Sequence, residues 1–190
     1  MIVILVGESA SGKTTLADNL QELDGFSKIV TYTTRPPRDG EQDGIDYHFV
    51  TDEQFNEMVL NNEFVEHANY RGWQYGTAIN SKIDKDIVII LTPAGARAFR
   101  KFAKEHPKLK LDLFVIYLMV DRRSRLIKLL ERGDDIEEAY RRSLSDVGQF
   151  DAFDREADYV FDNNEYCLSP DDVYGWIANV IERKRNGQDL

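Results

Sequence analysis

The sequence predicts an α/β protein whose parallel sheet is covered by helices on both faces. Continuous apolar runs, which are typical of buried parallel strands, occur at 2–6, 86–91 and 111–120. Segments with helical signals lie between these runs, one beginning at Lys13 and another at Thr92, where a capping residue precedes a proline. Strands that alternate with helices in this way favour a layered α/β fold.

The remaining elements follow from local signals in chain order. Leu16, Leu20 and Leu23 have helical spacing and are expected to give the first helix a buried face. Thr51 and Gln54 have the spacing of a capping box, which predicts a helix start. We expect further strands at 28–33, 64–68 and 159–161, a hairpin around Gly72, and helices at 122–132, at 137–149 and from Ser169. In the last helix we expect the side chains that face the core to be Val173, Trp176, Ile177, Val180 and Ile181.

Length and composition narrow the class of protein. A chain of 190 residues with 42% hydrophobic residues can build one domain with a full core. No apolar run approaches the roughly 18 to 20 residues that span a bilayer. Cys167, the only cysteine, fits a reducing compartment, so we expect a soluble cytoplasmic protein. A net charge of −10 argues against nucleic acid and membrane surfaces as partners, because both are anionic.

The segment GESASGKT at 7–14 predicts a phosphate-binding loop. Gly7, Gly12, Lys13 and Thr14 match the pattern G-x-x-x-x-G-K-[ST] between a predicted strand and a predicted helix, the context that this motif requires. Backbone N–H groups and the helix N-terminus favour an oxyanion, Lys13 reaches the terminal phosphates, and the Thr14 hydroxyl can bind Mg²⁺. An ordinary glycine turn is the weaker alternative. The predicted ATP-binding residues are Gly7, Ser9, Ala10, Ser11, Gly12, Lys13, Thr14 and Thr15.

Two further segments suggest a second ligand. Residues 31–50 place Arg35, Arg38 and Tyr47 in a region too polar and too rich in proline and glycine for a core. Two guanidiniums and a phenol suit a forked grip on a second phosphate, although a solvated loop with incidental arginines remains possible from these residues alone. Glu66 is an acid in an otherwise apolar strand, and it is either paired structurally or kept for a ligand.

Taken together, these segments resemble the guanylate kinase family. The family's glycine loop is similar to residues 7–14, its arginine segment to 31–50, and its base-binding strand and turn to 64–77. Its lid resembles residues 128–135, and its closing strand resembles 157–164. The resemblance implies one domain over 1–190: a three-layer P-loop kinase core with a parallel sheet, an inserted nucleoside-monophosphate-binding subdomain and a helical lid. The implied bounds are 1–33, 85–121 and 152–190 for the core, 34–84 for the subdomain and 122–151 for the lid.

The resemblance also implies an activity: transfer of a phosphoryl group from ATP, with Mg²⁺, to GMP or dGMP, by a monomer or a homodimer. The residues implied to hold the acceptor phosphate are Arg35, Arg38, Tyr47 and Tyr75, and those implied to read guanine are Thr31, Glu66 and Thr77. Guanine offers N1–H and its 2-amino group as adjacent donors that one carboxylate can accept, whereas adenine presents an acceptor at N1. The implied catalytic residues are Lys13, Arg132 and Arg142, with Arg141 as the alternative register for the last.

Three departures from the family pattern leave the acceptor open. Ile90 and Thr92 stand where the family has two aspartates, one of which helps to bind guanine, and Thr92 is expected to cap the next helix instead. Lys128 stands where an arginine is usual, and the connection between the base-binding turn and residue 95 is short. The alternatives are a kinase of the same fold with another or broader set of acceptors, including a phosphorylated sugar, and an inactive module that binds phosphopeptides. The complete glycine loop argues against the inactive module.

Overall fold

The computed structural model describes residues 1–70, 72–78 and 85–190 of the chain. Arg71, in the predicted hairpin, and 79–84, the end of the predicted acceptor subdomain, lie outside the described residues. The described strands are β1 (Ile2–Val6), β2 (Ser27–Lys28), β3 (Tyr32–Thr33), β4 (His48–Phe49), β5 (Glu66–Tyr70), β6 (Trp73–Thr77), β7 (Ile87–Ile90), β8 (Leu113–Met119) and β9 (Tyr159–Asp162). The described helices are α1 (Lys13–Asp24), α2 (Asp52–Leu60), α3 (Pro93–Glu105), α4 (Arg122–Glu131), α5 (Ile136–Asp146) and α6 (Pro170–Arg185).

The first sheet is parallel and forms the middle layer of the core. Its five described strands lie in the order β2-β7-β1-β8-β9, with β1 between the two longest apolar runs. Every residue of β1 is buried. Helices α1 and α6 pack on one face through Leu20 and Ile177, and α3 packs on the other through Phe99, next to Phe150 and Phe153. The predicted three-layer α/β core with a parallel sheet is therefore confirmed.

The second sheet is smaller and carries the polar segments. Its four described strands lie in the order β4-β3-β6-β5, and β5 and β6 form the predicted antiparallel pair. Gly76 of β6 has to lack a side chain, because a Cβ there would lie 2.8 Å from the Phe64 ring and 2.9 Å from the Phe55 ring. Phe55 reaches this position from α2, whose predicted capping box between Thr51 and Gln54 is present. The second sheet thus rests on a small apolar cluster of its own.

Three details of the predicted elements were wrong. The expected strand at 28–33 is split, because the chain leaves the first sheet after Lys28 and enters the second at Tyr32. Leu23 is 64% exposed, in the last turn of α1. Trp176 is 56% exposed, since its indole N–H donates to the Tyr159 hydroxyl at 2.8 Å and keeps the ring at the surface of α6.

The expected helix at 137–149 is shorter than predicted and runs from Ile136 to Asp146. It packs against α4 to form a helical hairpin, which contacts the glycine loop through Arg125 and Asp146. Each helix begins after an aspartate whose side chain accepts a backbone N–H three residues on: Asp121 for α4 and Asp135 for α5. In the part of the chain that the structure describes, no helix has the length and apolar character needed to cross a membrane.

Candidate active site

The glycine loop joins β1 to α1 at the carboxyl edge of the parallel sheet. Gly7 is needed there because a Cβ would lie 2.7 Å from the Leu118 carbonyl oxygen. Ala10 and Gly12 have φ angles of 64° and 90°, in the left-handed region. The Lys13 ammonium folds back along the loop and donates to the Glu8 carbonyl oxygen at 2.7 Å and to Ser11 Oγ at 3.3 Å. This conformation places a cation and a helix N-terminus together, as a phosphate site requires.

A donor cavity of about 640 Å³ opens beside the loop, within the usual range of small-molecule sites. Its walls are the loop, the end of β8, one side of α4 and the segment at 163–170. Lys128 lines this cavity, and Tyr166 donates its hydroxyl to the Ala10 carbonyl oxygen. Six predicted ATP-binding residues line it: Ala10, Ser11, Gly12, Lys13, Thr14 and Thr15.

An acceptor cavity lies between the glycine loop and the second sheet. It is lined by Gly7 and Ser9 of the loop and by six of the seven predicted acceptor residues: Thr31, Arg35, Arg38, Tyr47, Glu66 and Tyr75. Thr77, the seventh, is fully buried behind the cavity wall. The donor and acceptor cavities share four of the described residues, which are Ala10, Lys13, Thr14 and Arg132. Two ligands that filled the cavities would therefore meet at Lys13.

An arginine pair lies at one end of the acceptor cavity. Arg35 is 7% exposed, and its Nη2 donates to both carboxylate oxygens of Glu41 at 2.9 Å, while Nη1 donates to the Pro36 carbonyl oxygen at 2.7 Å. Glu41 also accepts the backbone N–H of Arg38 at 2.8 Å. Burial lowers the pKa of Arg38, and the nearby guanidiniums of Arg35 and Arg142 lower it further. Three guanidiniums therefore converge here, which favours a bound anion.

Two tyrosines complete this end of the cavity. The rings of Tyr47 and Tyr75 lie 6.0 Å apart, edge to face, and the Arg35 guanidinium lies 5.2 Å from the centre of the Tyr47 ring. Burial raises the pKa of Tyr47, and the neighbouring Tyr75 raises it further. The phenol therefore stays protonated near neutral pH and is available as a hydrogen-bond donor.

At the other end of the acceptor cavity lies a buried carboxylate. Glu66 is 5% exposed and accepts the Thr77 hydroxyl proton at 2.5 Å. Burial raises the pKa of Glu66 to about 7, in spite of that hydrogen bond. Among the described residues lining the cavity, Glu66 is the only carboxylate. Its second oxygen lies 3.1 Å from where a Cβ of Gly95 would stand, so the glycine makes room for the acid beside the start of α3.

The two departures from the family's aspartates also line this end. The Thr92 hydroxyl accepts the Gly95 backbone N–H at 3.1 Å, so the predicted cap of α3 is present. Ile90 is half-buried and presents an apolar side chain to the same cavity. This end of the cavity therefore combines one acid, several hydroxyls and an apolar wall.

Two arginines of the α4–α5 hairpin line the acceptor cavity, and both contact a carboxylate that the sequence did not single out. Arg132 donates to the two oxygens of Asp134 at 2.7 Å, and Arg142 donates to Asp134 at 2.6 Å and to Glu138 at 2.7 Å. Arg142 is buried and lines the acceptor cavity, whereas the Arg141 side chain is 60% exposed. This placement favours Arg142 as the second lid arginine.

Comparisons with known proteins agree with this geometry. The family model described as Guanylate kinase matches residues 1–183. The chain belongs to the guanylate kinase family. Among curated relatives, the guanylate kinase of Hydrogenovibrio crunogenus is 33% identical over 94% of this chain and 87% of its own length, and that of Synechococcus sp. (strain JA-3-3Ab) is 35% identical over 88% and 78%. The crystal structure of guanylate kinase from Anaplasma phagocytophilum shares the fold, with a TM-score of 0.68 at 24% identity over 97% of this chain and 85% of that one.

Several residues of this guanylate kinase site were not predicted. Glu41 lies six residues after Arg35, in the acidic stretch DGEQDG, and Asp134 directly follows the lid's Arg-Gly pair. Proximity to the predicted arginines was the available signal for both. A third unpredicted acid, Asp146, contacts Ser9 of the glycine loop and Tyr70 of β5, and nothing in the sequence of α5 indicates these contacts.

The donor set of the guanylate kinase loop suits Mg²⁺. Thr14 lines both cavities with a hydroxyl oxygen, and Mg²⁺ binds through one or two protein oxygens together with substrate phosphates. Over residues 1–70, 72–78 and 85–190, no group of three or more histidine, cysteine or acidic side chains has the arrangement of a metal site. A magnesium ion at Thr14 would therefore depend on the nucleotide for most of its ligands.

Proposed function

We propose that this member of the guanylate kinase family transfers the γ-phosphoryl group of ATP to GMP and dGMP, forming GDP and dGDP. The observation that carries the proposal is the acceptor cavity, in which the described residues include converging arginines at one end and one buried carboxylate at the other. The arginine end suits the phosphate of a nucleoside monophosphate. The Glu66 carboxylate suits the adjacent N1–H and 2-amino donors of guanine.

Each predicted residue has a role in this mechanism. The glycine loop binds the ATP phosphates through its backbone N–H groups, and Lys13 lies where the donor and acceptor cavities meet. Arg35, Arg38, Tyr47 and Tyr75 bind the acceptor phosphate, while Glu66, held by Thr77 and near Thr31, reads the base. Mg²⁺ at Thr14 would supply charge neutralisation at the ATP phosphates.

Proton transfer needs no dedicated base in this reaction. A phosphate monoester has a second pKa near 6 and is mostly dianionic at pH 7, so its oxygen is already a nucleophile. The protein contributes position and positive charge, through Lys13, Arg132 and Arg142 on the transferring group. The lid, proposed as 122–151, and the acceptor subdomain, proposed as 34–84, close over the two nucleotides and exclude water that would otherwise hydrolyse ATP. We assign this work to a monomer or homodimer in the cytoplasm.

A second candidate is a kinase with broader acceptor selectivity. Its support is that Ile90 and Thr92 line the base end of the cavity, where the family resemblance would place two aspartates. Because Glu66 is the only carboxylate among the described residues that line the cavity, the discrimination between bases depends mainly on one side chain.

The test is ADP release from ATP and Mg²⁺ by purified protein, with each ribo- and deoxynucleoside monophosphate supplied in turn. Turnover with GMP and dGMP alone supports the first proposal. Comparable turnover with other bases supports the broader kinase. Absence of turnover with every nucleotide refutes both and favours an acceptor or a ligand of another kind.

Glu66→Gln should erode the preference for GMP over AMP, and an unchanged preference would remove the base-reading role from Glu66.

A further inference from the structure

Asp146 is a buried carboxylate that the proposed reaction does not use. It is the last residue of α5, at the end of the lid hairpin, and it is 5% exposed. A charge at this depth is costly unless it is paired and hydrogen-bonded, so its partners indicate what it is for.

The partners come from three different parts of the molecule. One oxygen of Asp146 accepts the backbone N–H of Ser9 in the glycine loop, at 3.0 Å. The other accepts the hydroxyl of Tyr70, at the end of β5 in the second sheet. Arg125 of α4 lies with Nη1 3.5 Å from Asp146, and its Nε donates to the Val120 carbonyl oxygen at 2.9 Å. One carboxylate thus contacts the loop, the acceptor sheet and the lid hairpin.

Both hydrogen-bond donors also line the acceptor cavity. Ser9 lies on its loop side and Tyr70 on its sheet side, with the Tyr70 ring 6.1 Å from the ring of Tyr75. Asp146 lies behind this wall and touches neither cavity. It is therefore placed to set the separation between the acceptor sheet and the glycine loop, and hence between the two phosphates that react.

We propose that Asp146 is a positioning residue for phosphoryl transfer: through Tyr70 and the Ser9 amide it fixes the acceptor sheet in register with the glycine loop. The inference rests on the proposed function. A buried ion pair with Arg125 that serves stability alone is the competing explanation. The two differ because a positioning role predicts a loss in the transfer step, whereas a stability role predicts a loss of folded protein.

Tyr70→Phe is the sharpest variant, since it removes one hydroxyl and leaves the ring in the cavity wall. In-line transfer is sensitive to misplacement of about 1 Å, which can cost roughly 10²-fold in rate. We expect kcat with ATP and GMP to fall about 10-fold, with both KM values within about 2-fold of wild type. Uncoupled hydrolysis should rise, so that more ADP forms than GDP. Tyr140→Phe is the matched control, because Tyr140 is an exposed tyrosine on the same helix as Asp146.

A double-mutant cycle separates positioning from independent effects. Asp146→Asn should lower kcat at least as much as Tyr70→Phe, and the double variant should be no slower than Asp146→Asn alone, because both changes break one connection. Multiplying losses, or kcat values equal to wild type, would overturn the proposal. Thermal unfolding of each variant shows whether the loss of rate follows the folded fraction, and a rate loss fully explained by unfolding also overturns it.

The activity of the wild-type protein distinguishes a failure of the proposed function from a failure of the positioning role. If wild type does not phosphorylate GMP, the proposed function is refuted, and the amide resonance of Ser9 in a ¹⁵N–¹H spectrum tests the connection without turnover. A shift of that resonance in Tyr70→Phe, with none in Tyr140→Phe, supports transmission through Asp146. An unmoved resonance refutes it. If wild type is active and Tyr70→Phe matches it in kcat and in the ratio of ADP to GDP, the positioning role alone is refuted.

Discussion

Replacing Glu66 by glutamine should stabilise the protein above neutral pH. Glu66 is 5% exposed, and burial raises its pKa from 4.5 to about 7 in the folded protein. Glutamine is nearly isosteric, and its carbonyl oxygen can accept the Thr77 hydroxyl, but it never carries the charge that burial disfavours. The variant therefore isolates what the ionised carboxylate costs the folded state.

The magnitude and the sign follow from the two pKa values. Below pH 4.5 the carboxyl is protonated in the folded and the unfolded chain, so it costs nothing. Between pH 4.5 and about 7 the folded chain holds the proton more tightly, and stability falls as the pH rises. Above pH 7 the penalty is complete, at about 3 kcal/mol, because each pKa unit is worth about 1.4 kcal/mol. Glu66→Gln should therefore match wild type below about pH 4, exceed it by about 1 kcal/mol at pH 5 and exceed it by about 3 kcal/mol at pH 8.

Urea unfolding followed by tryptophan fluorescence at pH 5, 6, 7 and 8 measures this difference. Glu57→Gln is the control, since Glu57 is exposed on α2 and its replacement should give curves parallel to wild type at every pH. Parallel profiles for wild type and Glu66→Gln, within about 0.5 kcal/mol over the whole range, would refute the reasoning. A gain in stability together with a loss of preference for GMP would indicate that the acid is kept for its ligand.

Three further predictions concern catalysis. Lys13→Ala should remove more than about 99% of kcat, because the ammonium lies where the two cavities meet, while GMP binding measured by calorimetry persists; near-normal turnover would contradict the role of Lys13. The KM for GMP should fall as the pH rises from 6 to 8, since guanine donors favour ionised Glu66, and this fall should be smaller in Glu66→Gln, where only the phosphate titrates. Glu41→Ala should raise the KM for GMP about 10-fold, because the Arg35 guanidinium loses the carboxylate that holds it in place. A 10-fold change corresponds to the roughly 1.5 kcal/mol expected for hydrogen bonds to a charged group. A lower KM would mean that Glu41 competes with the phosphate.

The sequence predicted the core because its signals are local. The apolar runs of β1, β7 and β8 are continuous, and the caps of α2, α3 and α6 each depend on residues no more than three positions apart. The run at 28–33 misled because its apolar character continues through the crossing between the two sheets, and periodicity does not register a change of sheet. Trp176 misled in a similar way, since helical spacing places it near the buried face while its N–H seeks a polar partner at the surface.

The site was predictable where a residue type implies one chemistry. Lys13 and Thr14 follow from a motif, and Arg35 with Arg38 follows from cations in a segment too polar for a core. Glu41, Asp134 and Asp146 were missed because acidic residues are abundant in this chain, and only contacts distant in sequence distinguish them from solvated ones. Tyr70 and Asp146, for example, lie 76 positions apart.

The carboxylates around the arginines explain how an acidic protein can bind two anionic substrates. With a net charge of −10, long-range attraction of nucleotides is unfavourable, so the cations have to act at short range. In the resting site three of the arginines already contact a carboxylate: Arg35 contacts Glu41, and Arg132 and Arg142 share Asp134. A phosphate that enters therefore meets guanidiniums that a carboxylate already orients. Affinity then depends on how well each carboxylate holds its arginine, which makes Glu41 and Asp134 determinants of nucleotide binding alongside the arginines they contact.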